Sequence, residues 1–189
     1  FTNIGEMTNH GFELGVTAVA LNRPGIRWDW TVNAGTAKGE VTSLEEPLIF
    51  GLGGDSQRHQ EGHPFGSYFS RTYDVGSSGQ VAASDSAVYV GQPTPTLEGS
   101  IATAVELFGW LTLDVNLGFA LGHQQFNSTS QFRCGFLGGG TYGGVCPELF
   151  DLGADGEPTS QAKILAAASE DEQYFPWIDD AGFARLRSV

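Results

Sequence analysis

Acidic side chains that alternate with apolar ones are the residues of this sequence with the clearest potential for chemistry. A glycosidase uses two carboxylates as acid and base, and both groups must then converge on the bond that breaks. The flanking sequence signals no pocket around any two of these residues. We therefore predict a hydrated polar surface and no enzymatic activity. The acidic residues are Glu13, Asp29, Glu98, Glu106 and Asp114.

Two segments contain metal-ligating residue types, but their spacing does not favour a metal site. His59 and His63 stand four residues apart, as in zinc motifs that require a helix. Gly62 and Pro64 are incompatible with that helix. The segment 151–157 resembles a calcium loop but lacks an oxygen ligand at its third position. We predict no metal and no cofactor.

The two cysteines of the chain, Cys134 and Cys146, lie close together in Gly-rich sequence. An even pair at this spacing predicts a local disulfide in an oxidising compartment. The alternatives are two free thiols or half of a metal site. A zinc site needs about four ligands, and the neighbouring sequence supplies no further Cys or His. We predict the disulfide.

The composition favours antiparallel β-structure and excludes some partners. The 189 residues carry a net charge of −13, 27 of them are glycine, and only 16% are charged. Soluble domains typically have about 25% charged residues. Nucleic acid binding needs clustered Lys and Arg, so the acidic balance predicts no nucleic acid partner. No apolar run approaches the length of about 18 residues that a transmembrane helix needs.

Strict alternation of large apolar and polar or small residues runs through 111–122 and recurs in 97–107, 12–20 and 26–35. A period of two over this length predicts β-strands with two chemically different faces. The apolar face is expected to meet lipid and the polar face the lumen of a barrel. The expected lipid-facing residues of the first run are Leu111, Leu113, Val115, Leu117, Phe119 and Leu121. The expected lumen-facing residues are Glu13, Asp29, Asn33, Glu98, Asp114 and Asn116.

Strand and loop lengths favour an outer-membrane barrel. Soluble strands average about 5–6 residues, whereas transmembrane strands need about 9–11, and the four runs reach this length. The connections at 22–25 and 108–110 are tiny, while those at 42–65 and 123–180 are long. Such barrels have short periplasmic turns and long extracellular loops. The alternative that alternation leaves open is a soluble sandwich, such as a secreted all-β carbohydrate-binding module.

The long connections contain a few predicted elements. Helix-forming residues after a capping Ser or Thr predict one short helix over 158–168. The segments 66–75 and 87–90 are predicted strands, and another begins at 183. Aromatic residues of 123–180 are expected to pack this long loop against itself, as a small core, or against a partner protein. The alternative is an exposed sugar-binding surface. These aromatic residues are Phe132, Phe136, Tyr142, Phe150, Tyr174, Phe175 and Trp177.

Four sequence blocks, in order along almost the whole chain, resemble the C-terminal barrel region of SusC/RagA-type TonB-dependent outer-membrane receptors. Each block is weakly specific alone, and together they are fairly specific. The chain departs from the pattern in its short 74–90 stretch. The blocks are NIGEMTNHGFE (3–13), EGHPFGSYF (61–69), GQPTP (91–95) with the following hairpin and FN (126–127), and FARLRSV (183–189).

The resemblance implies a fold, a location and partners. The fold is an all-β, antiparallel up-and-down meander, an incomplete section of a transmembrane β-barrel with long extracellular loops and one short loop helix. Residues 1–189 would form a single region in the bacterial outer membrane, embedded in outer-membrane lipid. The resemblance further implies active uptake of a bulky nutrient, oligosaccharide or peptide, with a TonB complex and a SusD-like surface lipoprotein as partners. Both ends look cut, so we expect a fragment without plug domain or TonB box.

Overall fold

The computed structural model describes residues 4–49, 56–136, 146–170 and 175–189. Strands dominate this part of the chain. The strands are β1 (Gly5–Arg23), β2 (Ile26–Leu44), β3 (Leu48–Ile49), β4 (Gln57–His59), β5 (Ser67–Ser70), β6 (Tyr73–Val75), β7 (Val81–Ala83), β8 (Val88–Gly91), β9 (Leu97–Leu107), β10 (Leu111–Leu121), β11 (Gln124–Phe126), β12 (Ile178–Asp180) and β13 (Phe183–Ser188). The α-helices are α1 (Ser128–Gln131) and α2 (Ser160–Glu170), with a π-helix at Phe132–Phe136 and 3₁₀ turns at Pro147–Phe150 and Phe175–Trp177.

The main sheet has five antiparallel strands in the order β1-β2-β9-β10-β13. Spatial neighbours follow the chain order, so the sheet is an up-and-down meander with two long insertions. The predicted all-β, antiparallel up-and-down meander is therefore confirmed. Both tight turns lie at one end, where the Phe108 N–H donates to the Gly25 carbonyl at 2.8 Å. The two long insertions leave from the opposite end.

Cross-strand pairing places the alternating residues on two distinct faces. Leu117 pairs with Ile101, which pairs with Val32, and this row of large apolar side chains belongs to one face. The next row, Asn116, Ala102 and Thr31, belongs to the other face and is small or polar. Because side chains alternate across a strand, this separation of an apolar and a polar face continues along β9, β10 and the part of β2 that pairs with β9.

The apolar face is open and wide enough to match a membrane. Along β10 it extends from Leu111 to Leu121 in six cross-strand rows. Ten residue steps span about 34 Å, which is about 26 Å across a membrane at the usual strand tilt. Phe12 and Leu14 on this face are 84% and 60% exposed. We call these six rows the apolar band.

Trp28 lies in the apolar band, and its indole N–H is satisfied by a hydrogen bond. The Trp28 Nε1–H donates to Thr103 Oγ1 at 2.7 Å, and the Thr103 hydroxyl donates to the Asp29 carbonyl at 3.1 Å. In lipid no water could take over either interaction. The sequence alternation did not reveal this contact, because the residues are 75 positions apart.

Replacing Thr103 with valine is expected to lower the free energy of unfolding by about 1–2 kcal/mol, since it leaves the indole donor without a partner. The shape of the side chain is kept. Denaturant titration of the protein in detergent measures the change. In the Trp28→Phe background the same replacement should cost less, because the donor is already gone; an equal cost in both backgrounds would contradict the assigned hydrogen bond.

The β1–β2 hairpin is longer than the sequence predicted. Both strands have 19 residues, and their pairing continues to Gly5 and Leu44, beyond the apolar band. Beyond the end of β9, Val41 exchanges backbone hydrogen bonds of 2.9 Å with Gly62 and His63. A second sheet, in the order β3-β4-β5-β8, lies in this outer region.

Two predictions for the outer region were wrong. Segment 66–75 is not one strand, because β5 and β6 belong to different sheets. The Thr72 N–H donates to Ser84 Oγ at 3.0 Å, and Arg71 Nε donates to the Ser84 carbonyl, so the strand breaks at these two residues. The long loop contains α1 in addition to the predicted helix, which is α2. Asn127 caps α1 by accepting from the Ser130 N–H.

The segment between β10 and β13 has its own small core. Cys134 and Cys146 are joined by a disulfide, and both are buried against Tyr73, Leu165 and Trp177. Trp177 thus packs as predicted, whereas Phe132 and Phe150 are mostly exposed. The side chains of Phe136, Tyr142, Tyr174 and Phe175 lie outside the described ones. We call this segment, with β6 and β7, the outer lobe.

None of the helices in the described ranges is long and apolar enough to cross a membrane.

Candidate functional site

The polar face of the main sheet carries all six residues predicted to face a lumen. Glu13 and Glu98 flank Gly35 in one cross-strand row. Asp29 and Asp114 flank Ala104 in another. Two strand spacings separate the members of each pair, which is about 10 Å between backbones. Both acidic pairs therefore stand on either side of a small residue. The remaining two are Asn33, next to Ser100, and Asn116, next to Ala102.

Near the tight turns, the polar face has an ion pair. Arg27 donates to Asp29 through Nε at 2.7 Å and through a terminal nitrogen at 3.2 Å, which is a bidentate contact. Glu106 is the cross-strand partner of Arg27 on the other side. The Arg27 guanidinium thus orients the Asp29 carboxylate, while Asp114 forms no ion pair with any described residue.

Near the long insertions, the polar face forms a depression of about 760 Å³. Gly15 and Gly35 lie beneath it, and neither brings a side chain that would fill the space. A Cβ added at Gly35 would lie 3.8 Å from Cγ of Glu13, so the glycine leaves that carboxylate side chain room. The depression is lined by Glu13, Asn33, Glu98, Ser100 and Arg187, among others.

The sequence predictions missed Arg187, which belongs to this depression. A Cβ added at Gly118 would lie 2.2 Å from Arg187 Nε, so the guanidinium lies directly over that glycine. Arg185 pairs with Gly118 on the polar face, and Arg187, two residues further along β13, belongs to the same face by alternation. The signal was present in the alternation of Arg185 and Arg187 with Leu186, but the pairing partner of this strand was not known from the sequence.

The depression is suited to binding rather than to bond cleavage. It combines two carboxylates, one guanidinium and the amide and hydroxyl groups of Asn33 and Ser100. These groups are spread over four strands, β1, β2, β9 and β13, and do not converge on one point. A broad concave surface of this kind can hydrogen-bond polar molecules and discriminate between them by charge.

The histidines with metal-like spacing serve other roles. Nδ1 of His59 accepts a hydrogen bond from the Gly66 N–H at 3.0 Å, and its ring stacks on Phe65. His63 stacks on Tyr89 with 5.1 Å between ring centroids. Among the described residues, one group is close enough to hold a metal, Cys134 with Cys146 and Glu148, and its sulfurs form the disulfide.

Acidification is expected to loosen the small outer sheet through His59. Burial lowers the pKa of His59, because it disfavours the charged ring. The pKa of His59 is lower in the folded protein than in the unfolded chain. The neutral ring therefore stabilises the sheet fully above about pH 6.5, and this stabilisation is lost as the pH falls through the folded pKa. Limited proteolysis within 57–70 at about pH 7.5 and 5 measures the loss. His59→Gln, which accepts a hydrogen bond without titrating, should show a weaker pH dependence; an unchanged dependence would contradict this role.

Comparison with known proteins supports the fold of this chain but says nothing about the chemistry of the depression. No protein-family model matches the chain, and no curated protein matches it. Solved structures do match. The structure of the RagAB peptide transporter aligns with 97% of this chain at a TM-score of 0.71 and 17% identity. The same importer in its closed-closed state aligns with 97% at 0.72 and 18% identity, and in its open-open state with 96% at 0.68 and 18% identity.

The chain has the fold of a section of a RagA-type receptor barrel. This confirms, at the level of the fold, the resemblance inferred from the four sequence blocks. The barrel section spans 22% of the length of each of these solved chains.

Proposed function

We propose that this barrel section is part of an outer-membrane, TonB-dependent importer of a bulky nutrient, an oligosaccharide or a peptide, and is not an enzyme. A TonB complex would supply the energy and a SusD-like surface lipoprotein would cover the outer opening. Residues 1–189 form one region of the C-terminal barrel, with 123–180 as an extracellular loop. Arg23 to Ile26 and Leu107 to Leu111 mark the periplasmic end.

The observation that carries this proposal is the two-faced meander. Its apolar face exposes Phe12 and Leu14 over a height that fits a bilayer, and its polar face has the charged depression. A wall between lipid and a hydrated lumen needs this separation. The fold likeness to a peptide transporter supports the same assignment.

Heat-modifiable migration on gels, together with detergent dependence, tests the membrane part of the proposal for the full-length protein. We expect a folded form that migrates differently from the boiled form. Loss of nutrient uptake when the gene is deleted, with recovery on re-expression, tests the transport part. A full-length protein that is soluble without detergent would rule out the barrel assignment. A sharp lipid-free melt would instead support the secreted carbohydrate-binding module.

The two carboxylates of the depression are expected to favour cationic cargo. Replacing both Glu13 and Glu98 with glutamine should reduce uptake of a peptide with one lysine about fivefold relative to a neutral one of equal length. A single lysine contacts one carboxylate at a time, and one such contact in water contributes about 1 kcal/mol. Uptake of labelled peptides measures the ratio. The double variant Glu45→Gln with Glu46→Gln, at two exposed positions outside the depression, is the control for net charge and should leave the ratio unchanged. An unchanged ratio in the Glu13 and Glu98 double variant would show that cargo does not pass these carboxylates.

A further inference from the structure

A cleft of about 510 Å³ opens in the outer region where β9 ends beside β2. Thr36 of β2 pairs with Leu97, the first residue of β9, so the edge of β2 beyond this point has no β9 partner. Further along, Val41 exchanges backbone hydrogen bonds with Gly62 and His63. The cleft lies between these two points, against the β1–β2 hairpin.

The cleft begins where the apolar band stops. Phe12, in the last row of the band, lines it. Two residues further along β1, about 7 Å away, His10 lies directly opposite Lys38 of β2. His10 and Lys38 share the outward face with Phe12, because all three positions differ by even steps along paired strands. Both side chains are exposed and line the cleft. The pair therefore stands at the level where membrane hydrocarbon gives way to headgroups.

The charge of Lys38 has no partner within the described part of the chain. Lys38 forms no ion pair there, not even with Glu40, two residues further out on the same face. The chain has only nine Lys and Arg against 22 Asp and Glu, so a general basic surface does not account for this position. A free ammonium group beside an apolar surface favours an anionic partner that also brings apolar chains.

The far wall of the cleft supplies aromatic and amide groups. The stacked rings of His63 and Tyr89 belong to it, and the Tyr89 hydroxyl donates to Gln92 Oε1 at 3.3 Å. Burial raises the pKa of Tyr89, so this hydroxyl stays protonated. Aromatic rings with a polar tip are typical of the membrane–water interface.

We propose that this cleft binds the phosphate of an anionic lipid headgroup in the outer leaflet. Lys38 provides the charge and His10 a hydrogen-bond donor, while the acyl chains lie along Phe12 and the apolar band. A lysine suits this position, because its flexible stem covers apolar surface while its ammonium reaches the phosphate. The proposal rests on the membrane placement proposed above but not on the transport of any cargo.

Native mass spectrometry of the full-length protein in detergent, titrated with phosphatidylglycerol or phosphatidylcholine, tests the lipid assignment. We expect the wild-type protein to prefer the anionic lipid. Lys38→Gln should reduce that preference about fivefold, the contribution of one cation near anionic headgroups, and Lys38→Arg should retain it. Lys163→Gln removes the other lysine of the chain, on α2, and should behave as the wild type.

Equal preference in the wild-type and Lys38→Gln proteins would overturn the proposal, as would an equal loss in Lys163→Gln. A parallel titration adds inorganic phosphate; displacement of the lipid by phosphate alone would assign the cleft to a free anion and also overturn it. Heat-modifiable migration is checked first for every variant. Its absence in the wild type would contradict the barrel itself, whereas a heat-modifiable protein without lipid preference contradicts this inference alone.

Discussion

Arginine in place of Ile101 is expected to destabilise the barrel wall by about 2–4 kcal/mol, the cost of an arginine at the bilayer midplane on the lipid face of a barrel. Ile101 lies between Val32 and Leu117 in the fourth of the six rows of the apolar band. The guanidinium would meet hydrocarbon there, with no water to solvate it. Refolding of the full-length protein into lipid vesicles across a denaturant series measures the change.

Ala102→Arg is the matched control, because Ala102 is the next residue of the same strand and faces the opposite side. Its row contains Thr31 and Asn116, where a charged side chain can be hydrated. We expect a change below about 1 kcal/mol, as for most substitutions at hydrated surface positions. Equal losses in both variants would contradict the assignment of faces. A larger loss in Ala102→Arg would place the apolar face inside.

Loss of the disulfide between Cys134 and Cys146 is expected to destabilise the outer lobe by about 3 kcal/mol, the value for closing a loop of this size. The two cysteines are 12 positions apart. Both are buried in the cluster with Leu165 and Trp177, so this core depends on the covalent link. In a double serine variant, limited proteolysis within 127–177 should become faster.

The main sheet should not respond to this change, because the cluster around the disulfide contains none of its residues. Heat-modifiable migration of the double serine variant should therefore match the wild type. A reducing agent should speed cleavage of the wild-type lobe and leave the variant unaffected. Simultaneous loss of the folded barrel would show that the lobe and the wall fold as one unit.

The alternation of side chains predicted the four long strands β1, β2, β9 and β10, the two tight turns between them and the two faces. These features depend on residues within one segment, since a strand exposes successive side chains on opposite sides. The same signal underestimated the lengths of β1 and β2. Beyond Phe12 the outward positions are polar, as at Thr8 and His10, so the pattern ends where the strand leaves the apolar band although the pairing continues.

The sequence by itself determined which side chains share a face, and where the chain turns, because both follow from local periodicity and turn residues. Only the tertiary structure decided which residues meet across strands. Register brings Glu13 and Glu98 to either side of Gly35, and the pairing of β10 with β13 brings Arg187 over Gly118. These neighbours are far apart along the chain, and a shift of one residue would move a strand's polar side chains to the opposite face.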